Sequence, residues 1–226
     1  MMDVSTDTLL KVLIGVASGF LGWVLAQLTS GARTWIRRRK VLRLLLQELG
    51  DLDAEVSRLL LFFSRQLQVH GAGGVSSETI AGLSNPVFSG YYKDALLSLN
   101  QKQRISYQLI HSMVQLANVG IMDLRAKSSE IYGRYAVEGM SEELTKVCDA
   151  WGKVARAQFL SCSSLQWHLR FHLGNPSCPD LSPHGRPGEH YARHIQAAQK
   201  KVDALLAAGK TIDLRKFEEA SELEAT

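Results

Sequence analysis

The chain has 226 residues, 46% of them hydrophobic, and a net charge of +4. With some 40 residues set aside for an anchor, the remainder suits one ordinary domain. The positive charge is a local collar (Arg33, Arg37, Arg38, Arg39, Lys40 and Arg43, with no acid among them), so a broad nucleic-acid surface is not expected. Three widely spaced cysteines, Cys148, Cys162 and Cys178, form no disulfide framework and fit a reducing compartment.

From Leu9 to Leu28 the chain is almost wholly apolar, broken by Lys11, Ser18 and Gln27. Twenty helical residues rise about 30 Å, the thickness of a hydrocarbon core, and Lys11 can snorkel to the interface. A signal peptide carries its positive charge before the apolar run; here acids precede it and arginines follow. The expected element is a transmembrane helix in the inner membrane, with the N-terminus outside and the domain in the cytoplasm. Along this helix Gly15, Ser18, Gly19, Gly22 and Ala26 share one face and include a GxxxG pair. Such a face favours self-association in lipid; glycine is also simply common in membrane helices. Arg37, Arg38, Arg39 and Lys40 are candidates for binding lipid headgroups.

Past the collar the helical period continues. Leu42, Leu45, Leu49, Leu52, Val56, Leu59 and Phe63 follow a heptad, widened by Leu46, Leu60, Phe62 and Leu67, which leaves open a coiled coil between copies or a bundle within one chain. Gly31 and Gly50 are potential weak points. The stretch from His70 to Gly90 reads as a loop, and Tyr91 to Leu99 as a short helix. Asn100 with Gln103 then opens a long helix in capping-box style. Its stripe is Tyr107, Ile110, Val114, Ala117, Ile121 and Leu124, supported by Ile105, Leu109, Met113 and Leu116. Ser141 caps the next helix, with Leu144, Cys148, Trp151, Ala155, Cys162, Leu165 and Leu169 as its apolar positions. Gly174 to Gly188 is a proline-rich loop, and a last helix runs from about Glu189 to Ala208.

The fold class is therefore all-α: one N-terminal transmembrane helix and a cytosolic bundle of about four helices. The expected organisation is residues 1–32 as anchor, 33–69 as collar and amphipathic helix, 70–90 as loop, 91–208 as helical bundle with its loop at 174–188, and 209–226 as tail.

Two constellations could carry chemistry. Arg104 and His111 lie near one helix face, two turns apart. An arginine followed by a histidine after four to six residues resembles the motif of HEPN-type ribonucleases. That resemblance implies a phosphate-holding role for Arg104 and a proton-transfer role for His111. Ile105 stands where that motif usually has a polar residue, and the plainer reading of the pair is two solvated residues flanking an apolar stripe. His168 with His172, and His190 with His194, are i,i+4 pairs either side of a loop that also carries Cys178 and His184. Together they could supply four zinc ligands, or serve as interfacial histidines beside Trp167, Phe171 and Tyr191. No GxxxxGK[ST], GxGxxG or GxSxG signature is present, and the acids form no obvious catalytic pair. The sequence calls for no cofactor.

The anchor, the collar, LLLQELGDLDAEV and YYKDALLSLNQKQRISYQLIHSMVQLANVGI resemble small bacterial single-pass membrane proteins with a helical cytosolic domain. They are loosely similar to the membrane accessory protein of type VI CRISPR systems. The resemblance covers about half the chain and omits the proline-rich loop and the His190–His194 helix. It implies a homo-oligomer that depolarises the membrane during phage defence, with Arg104 and His111 as the shared Arg–His motif. The expected partners are the membrane, further copies of the chain and a cytosolic protein. The readings to separate are a membrane-disrupting defence effector, a tethered ribonuclease and a non-catalytic scaffold.

Overall fold

The computed structural model describes residues 6–181 and 185–212; in the first helix it describes the side chains of residue 13 and of residue 15 onward. His184 and the tail from residue 213 lie outside the described residues. Among those described, all regular secondary structure is helical: α1 (Thr6–Gly71), α2 (Pro86–Ala95), a 3-10 turn (Leu96–Ser98), α3 (Gln101–Glu138), α4 (Glu142–Gly174) and α5 (Arg186–Gly209).

The first helix has 66 residues and is about 100 Å long at roughly 1.5 Å per residue. Without a proline to remove a hydrogen bond, it runs unbroken through Gly31 and Gly50, which therefore do not interrupt it. The expected boundary at residues 32 and 33 falls inside this single helix. Among the described residues no helix is long and apolar enough to cross a membrane. The expected span starts at Leu9, and the side chains of residues 9–12 and 14 lie outside the described set.

Two boundaries differ from the sequence reading. The loop after α1 ends at Asn85, because Pro86 at the first helical turn is already set to a helical φ. Thus α2 begins ahead of the expected Tyr91 and gives way to a 3-10 turn at Leu96. The helix α5 begins at Arg186, again with a proline in its first turn. The two expected N-caps are present. Asn100 accepts from the Gln103 N–H while the Gln103 side chain accepts from the Asn100 N–H, and the Ser141 side chain accepts from the Leu144 N–H. Gly139, at φ 67°, takes the left-handed conformation that ends α3.

Cross-links fix the helix directions. Gln166 donates to Ser57, and Arg170 pairs with Asp53, so α4 runs antiparallel to α1. Trp151 Nε1 donates to Ser128 Oγ and Ser106 meets His172, so α3 also opposes α4. Arg156 pairs with Asp203 while Ser163 meets His194, so α5 opposes α4 as well. At the far end, a Cβ on Gly71 would collide with the Leu206 backbone, and one on Gly209 with the Gln68 carbonyl. Only glycine lets α1 and α5 approach so closely there.

The heptad positions Leu45, Leu49, Leu52, Val56, Leu59 and Phe63 are all buried within one copy of the chain. They form a single core with Trp151, Phe159, Leu165, Leu169 and Val202. Of the two alternatives left open for the Leu42–Phe63 stripe, the structure has the bundle within one chain: α2, α4 and α5 pack on it. A correction concerns α3. Tyr107, Ile110, Val114, Ala117, Ile121 and Leu124 are buried, but Ile105, Leu109 and Leu116 are exposed. They point away from the one face that α3 turns to α4.

Candidate functional site

The two halves of α1 meet different surroundings. From residue 15 to residue 37 every side chain is exposed except half-buried Val24. The large apolar side chains Leu13, Val16, Phe20, Leu21, Trp23, Leu25 and Leu28 are each 60% to 71% exposed. No other part of the described chain covers them, and they look outward on all sides of the helix. Three hydroxyls in this segment bond back onto their own helix: Ser18 donates to the Gly15 carbonyl at 3.0 Å, Thr29 to the Leu25 carbonyl at 2.7 Å and Thr34 to the Ser30 carbonyl at 2.9 Å. Such local bonding satisfies these three hydroxyl hydrogens without water. The small-residue face is equally open, since a Cβ on Gly15, Gly19 or Gly22 would meet nothing.

The collar sits where α1 enters the bundle. Arg33, Arg37, Arg39 and Lys40 are exposed and Arg38 is half-buried, while the core begins at Val41. Arg39 lays its guanidinium 3.9 Å from the ring centre of Trp35, a cation–π contact. Arg37 reaches sideways to α2 and pairs with Asp94 at 2.8 Å.

Arg104 and His111 both lie on α3, on the side turned toward α2. Arg104 is half-buried; its carbonyl accepts from the Tyr92 hydroxyl at 3.4 Å. Burial raises the Tyr92 hydroxyl pKa, and the charge of Arg104 pulls it back. The His111 ring stacks on Phe88 with centroids 4.2 Å apart. Its Nδ1 meets the Asn85 amide and its Nε2 meets the Gln115 amide at 3.0 Å. Both contacting atoms are amide nitrogens, which only donate, and a neutral imidazole has a single acceptor nitrogen, so the ring accepts from one amide and the other approach is a contact. Burial lowers the His111 pKa. The ring is thus engaged on a face and at both nitrogens, holding the start of α2 against α3.

The four histidines of the possible metal set are dispersed. His172 is fully buried under Tyr107, with Nδ1 2.8 Å from Ser106 Oγ and Nε2 without a partner. The His168 ring lies by Trp167 and Tyr191, with a buried, unpartnered Nδ1. Burial lowers the pKa of each to about 4. His190 accepts from Trp167 Nε1 at 3.3 Å, and His194 donates from Nε2 to the Ser163 carbonyl at 3.0 Å. Each ring has its own neighbour across a helix seam, so the i,i+4 pairs do not converge. Among the described residues no three His, Cys, Asp or Glu side chains are grouped to hold a metal.

One polar group was not singled out from the sequence. Glu48 lies on the buried face of α1, only 6% exposed. Its Oε1 accepts from the Val87 N–H at 2.6 Å and its Oε2 from the Phe88 N–H at 2.8 Å. Asn85, at the N-cap of α2, supplies no side-chain cap of its own, so a carboxylate from another helix does that work. The legible signal was an acid between Leu45, Leu49 and Leu52 on one apolar stripe. All three cysteines are free, and burial pushes the Cys162 thiol up to about 12, which keeps it protonated. No family model, curated protein or solved structure matches the chain.

Proposed function

We propose that this is a membrane-anchored helical protein that self-associates through the first part of α1. The observation that carries this reading is the bare apolar half of α1. Seven large side chains at about 1.5–3 kcal/mol each for full burial represent on the order of 10 kcal/mol of unfavourable exposure in water. Lipid removes that cost without requiring another protein surface. The basic collar following the run supports an orientation with the bundle in the cytoplasm. The open Gly15, Gly19 and Gly22 slots support close contact between copies. The further step, to a membrane-depolarising effector in phage defence, rests only on the resemblance described above.

The test uses the full chain. It should resist alkaline extraction from membranes and run as an oligomer by light scattering in detergent. Gly19→Ile with Gly22→Ile should reduce it to a monomer while it stays in the membrane. A wild-type monomer in detergent would overturn the self-association; release by alkali would overturn the anchor. Collapse of membrane potential on expression, lost in the double variant, is the readout for the effector step.

A second reading, a scaffold that docks a cytosolic protein, is favoured by the outward stripe of α3. Ile105, Leu109, Leu116 and Val119 are all exposed there, at helical spacing. It predicts one stoichiometric partner, lost in Leu116→Glu, and no change in membrane potential.

A further inference from the structure

At the junction between anchor and bundle, α1 and α2 enclose a cleft of about 240 Å³ lined by Thr34, Arg37, Arg38, Val41 and Asp94. Its floor is Val41, the first buried residue of the core. Two guanidinium groups border it and a single carboxylate opposes them. Thr34 contributes only wall, because its hydroxyl hydrogen goes to the Ser30 carbonyl. Asp94 holds Arg37 at 2.8 Å, yet the two side chains are 46% and 71% exposed. An ion pair so open to solvent contributes little, so an incoming dianion or monoanion can displace the carboxylate at small cost.

The height along α1 fits a lipid. The rise from Leu28, the end of the apolar run, to Arg37 is about 13 Å. The headgroup layer extends roughly 5–8 Å beyond the hydrocarbon. Helical side chains lean toward the N-terminus, so Arg37 and Arg38 lean back toward that layer. Exposed Trp35, two residues before Arg37, has the amphipathic ring that favours the membrane interface. A planar guanidinium matches a phosphate in a forked, charge-assisted geometry.

We propose that this cleft is a binding site for the phosphate of an anionic glycerophospholipid, with Asp94 as the internal competitor that vacates Arg37 when the lipid binds. The proposal deepens the anchored reading above and rests on it. It also makes the collar unequal. Arg37 and Arg38 bind one phosphate in a defined place, whereas Arg39, stacked on Trp35 outside the cleft, adds only diffuse attraction.

The experiment is a titration of the full chain in uncharged maltoside micelles with phosphatidylglycerol, phosphatidylcholine or inorganic phosphate, read as bound adducts by native mass spectrometry. Phosphatidylglycerol should bind in clear preference to phosphatidylcholine. Arg37→Ala and Arg38→Ala should each weaken it about ten-fold, Arg39→Ala less than two-fold, and Asp94→Asn should tighten it several-fold. Equal losses at Arg37, Arg38 and Arg39, or an unchanged affinity in Asp94→Asn, would overturn the site in favour of a diffuse collar. Inorganic phosphate binding as tightly as the lipid would overturn the lipid as its source. Alkaline extraction of the same variants separates the two readings. Retention in the membrane with no lipid preference fails the cleft alone, and release of the wild type fails the anchor.

Discussion

Removing the Glu48 carboxylate tests how α2 is held. The side chain is 6% exposed and accepts two backbone N–H groups that have no partner in their own helix. Glu48→Ala strips both donors of their acceptor. An unsatisfied buried donor costs about 1–3 kcal/mol, which gives roughly 2–6 kcal/mol for the pair. Two effects reduce this. Val87 and Phe88 are half-buried, so water can reach part of the gap, and the variant no longer buries a carboxylate. A net loss of about 2 kcal/mol is expected. The sign with pH is also fixed. Burial raises the Glu48 pKa more than the two hydrogen bonds lower it, with Asp51 adding to the rise. The folded state therefore holds the proton more tightly than the unfolded chain. Glu48 favours folding below the ordinary carboxylate range, and this contribution is lost as pH rises through the raised folded value. Denaturant unfolding of the full chain in detergent measures the total loss, and amide exchange locates it. Protection should fall first at Val87 and Phe88. Unchanged exchange at those two amides in Glu48→Ala would refute the reasoning, whatever the global stability does.

The remaining predictions concern titration and close packing. His168 and His172 are depressed to about 4 by burial, so both are neutral in the folded protein at neutral pH and must charge on unfolding in acid. Their contribution is present above about pH 6.5 and is lost as pH falls toward 4. Unfolding midpoints should drop across that window and drop less in His172→Gln; a midpoint flat from pH 7 to 4 would count against it. Gly209→Ala should destabilise by about 1–3 kcal/mol, because its Cβ would meet the Gln68 carbonyl and the Gly71 backbone. Gly50→Ala, with nothing near its Cβ, should stabilise by up to about 1 kcal/mol in the same melts.

The helical class was readable because local signals agreed with the fold. The capping box at Asn100 and Gln103 and the Ser141 cap act within a turn of themselves, so no tertiary information was needed. The stripe from Tyr107 to Leu124 likewise marked the buried face of α3 correctly. What periodicity could not reveal was which apolar residue finds a neighbour. Ile105, Leu109 and Leu116 look like core in the sequence but are exposed, since α3 turns one face to α4. The heptad of α1 specifies a seam, but not whether the other side comes from another copy or from the same chain. The histidines show the same limit: i,i+4 spacing puts His168 with His172 on one side of α4, yet the seam sends one toward Tyr191 and the other toward Tyr107. Glu48 was missed because its partners, Val87 and Phe88, lie on a different helix and are backbone groups, which carry no sequence signature.

The unbroken course of α1 limits how copies can meet. Close packing brings helix axes to about 8–10 Å, and above the collar that space around α1 is taken by α2, α4 and α5. Copies cannot stay in contact along the whole helix. A GxxxG-type contact crosses at about 40° and so diverges on either side of the crossing. From a crossing at Gly19, the rise to Val41 is about 33 Å, by which point the two axes stand roughly 20 Å apart. That spacing admits one flanking helix between the two α1 axes, at about 8–10 Å from each. The proposed contact in the first part of α1 is therefore compatible with separated bundles, and it draws only on the small-residue face at Gly15, Gly19 and Gly22, which is open. The proposed assembly does not draw on the heptad, which is buried inside the bundle of each copy, and α1 runs unbroken from its exposed apolar segment into that core.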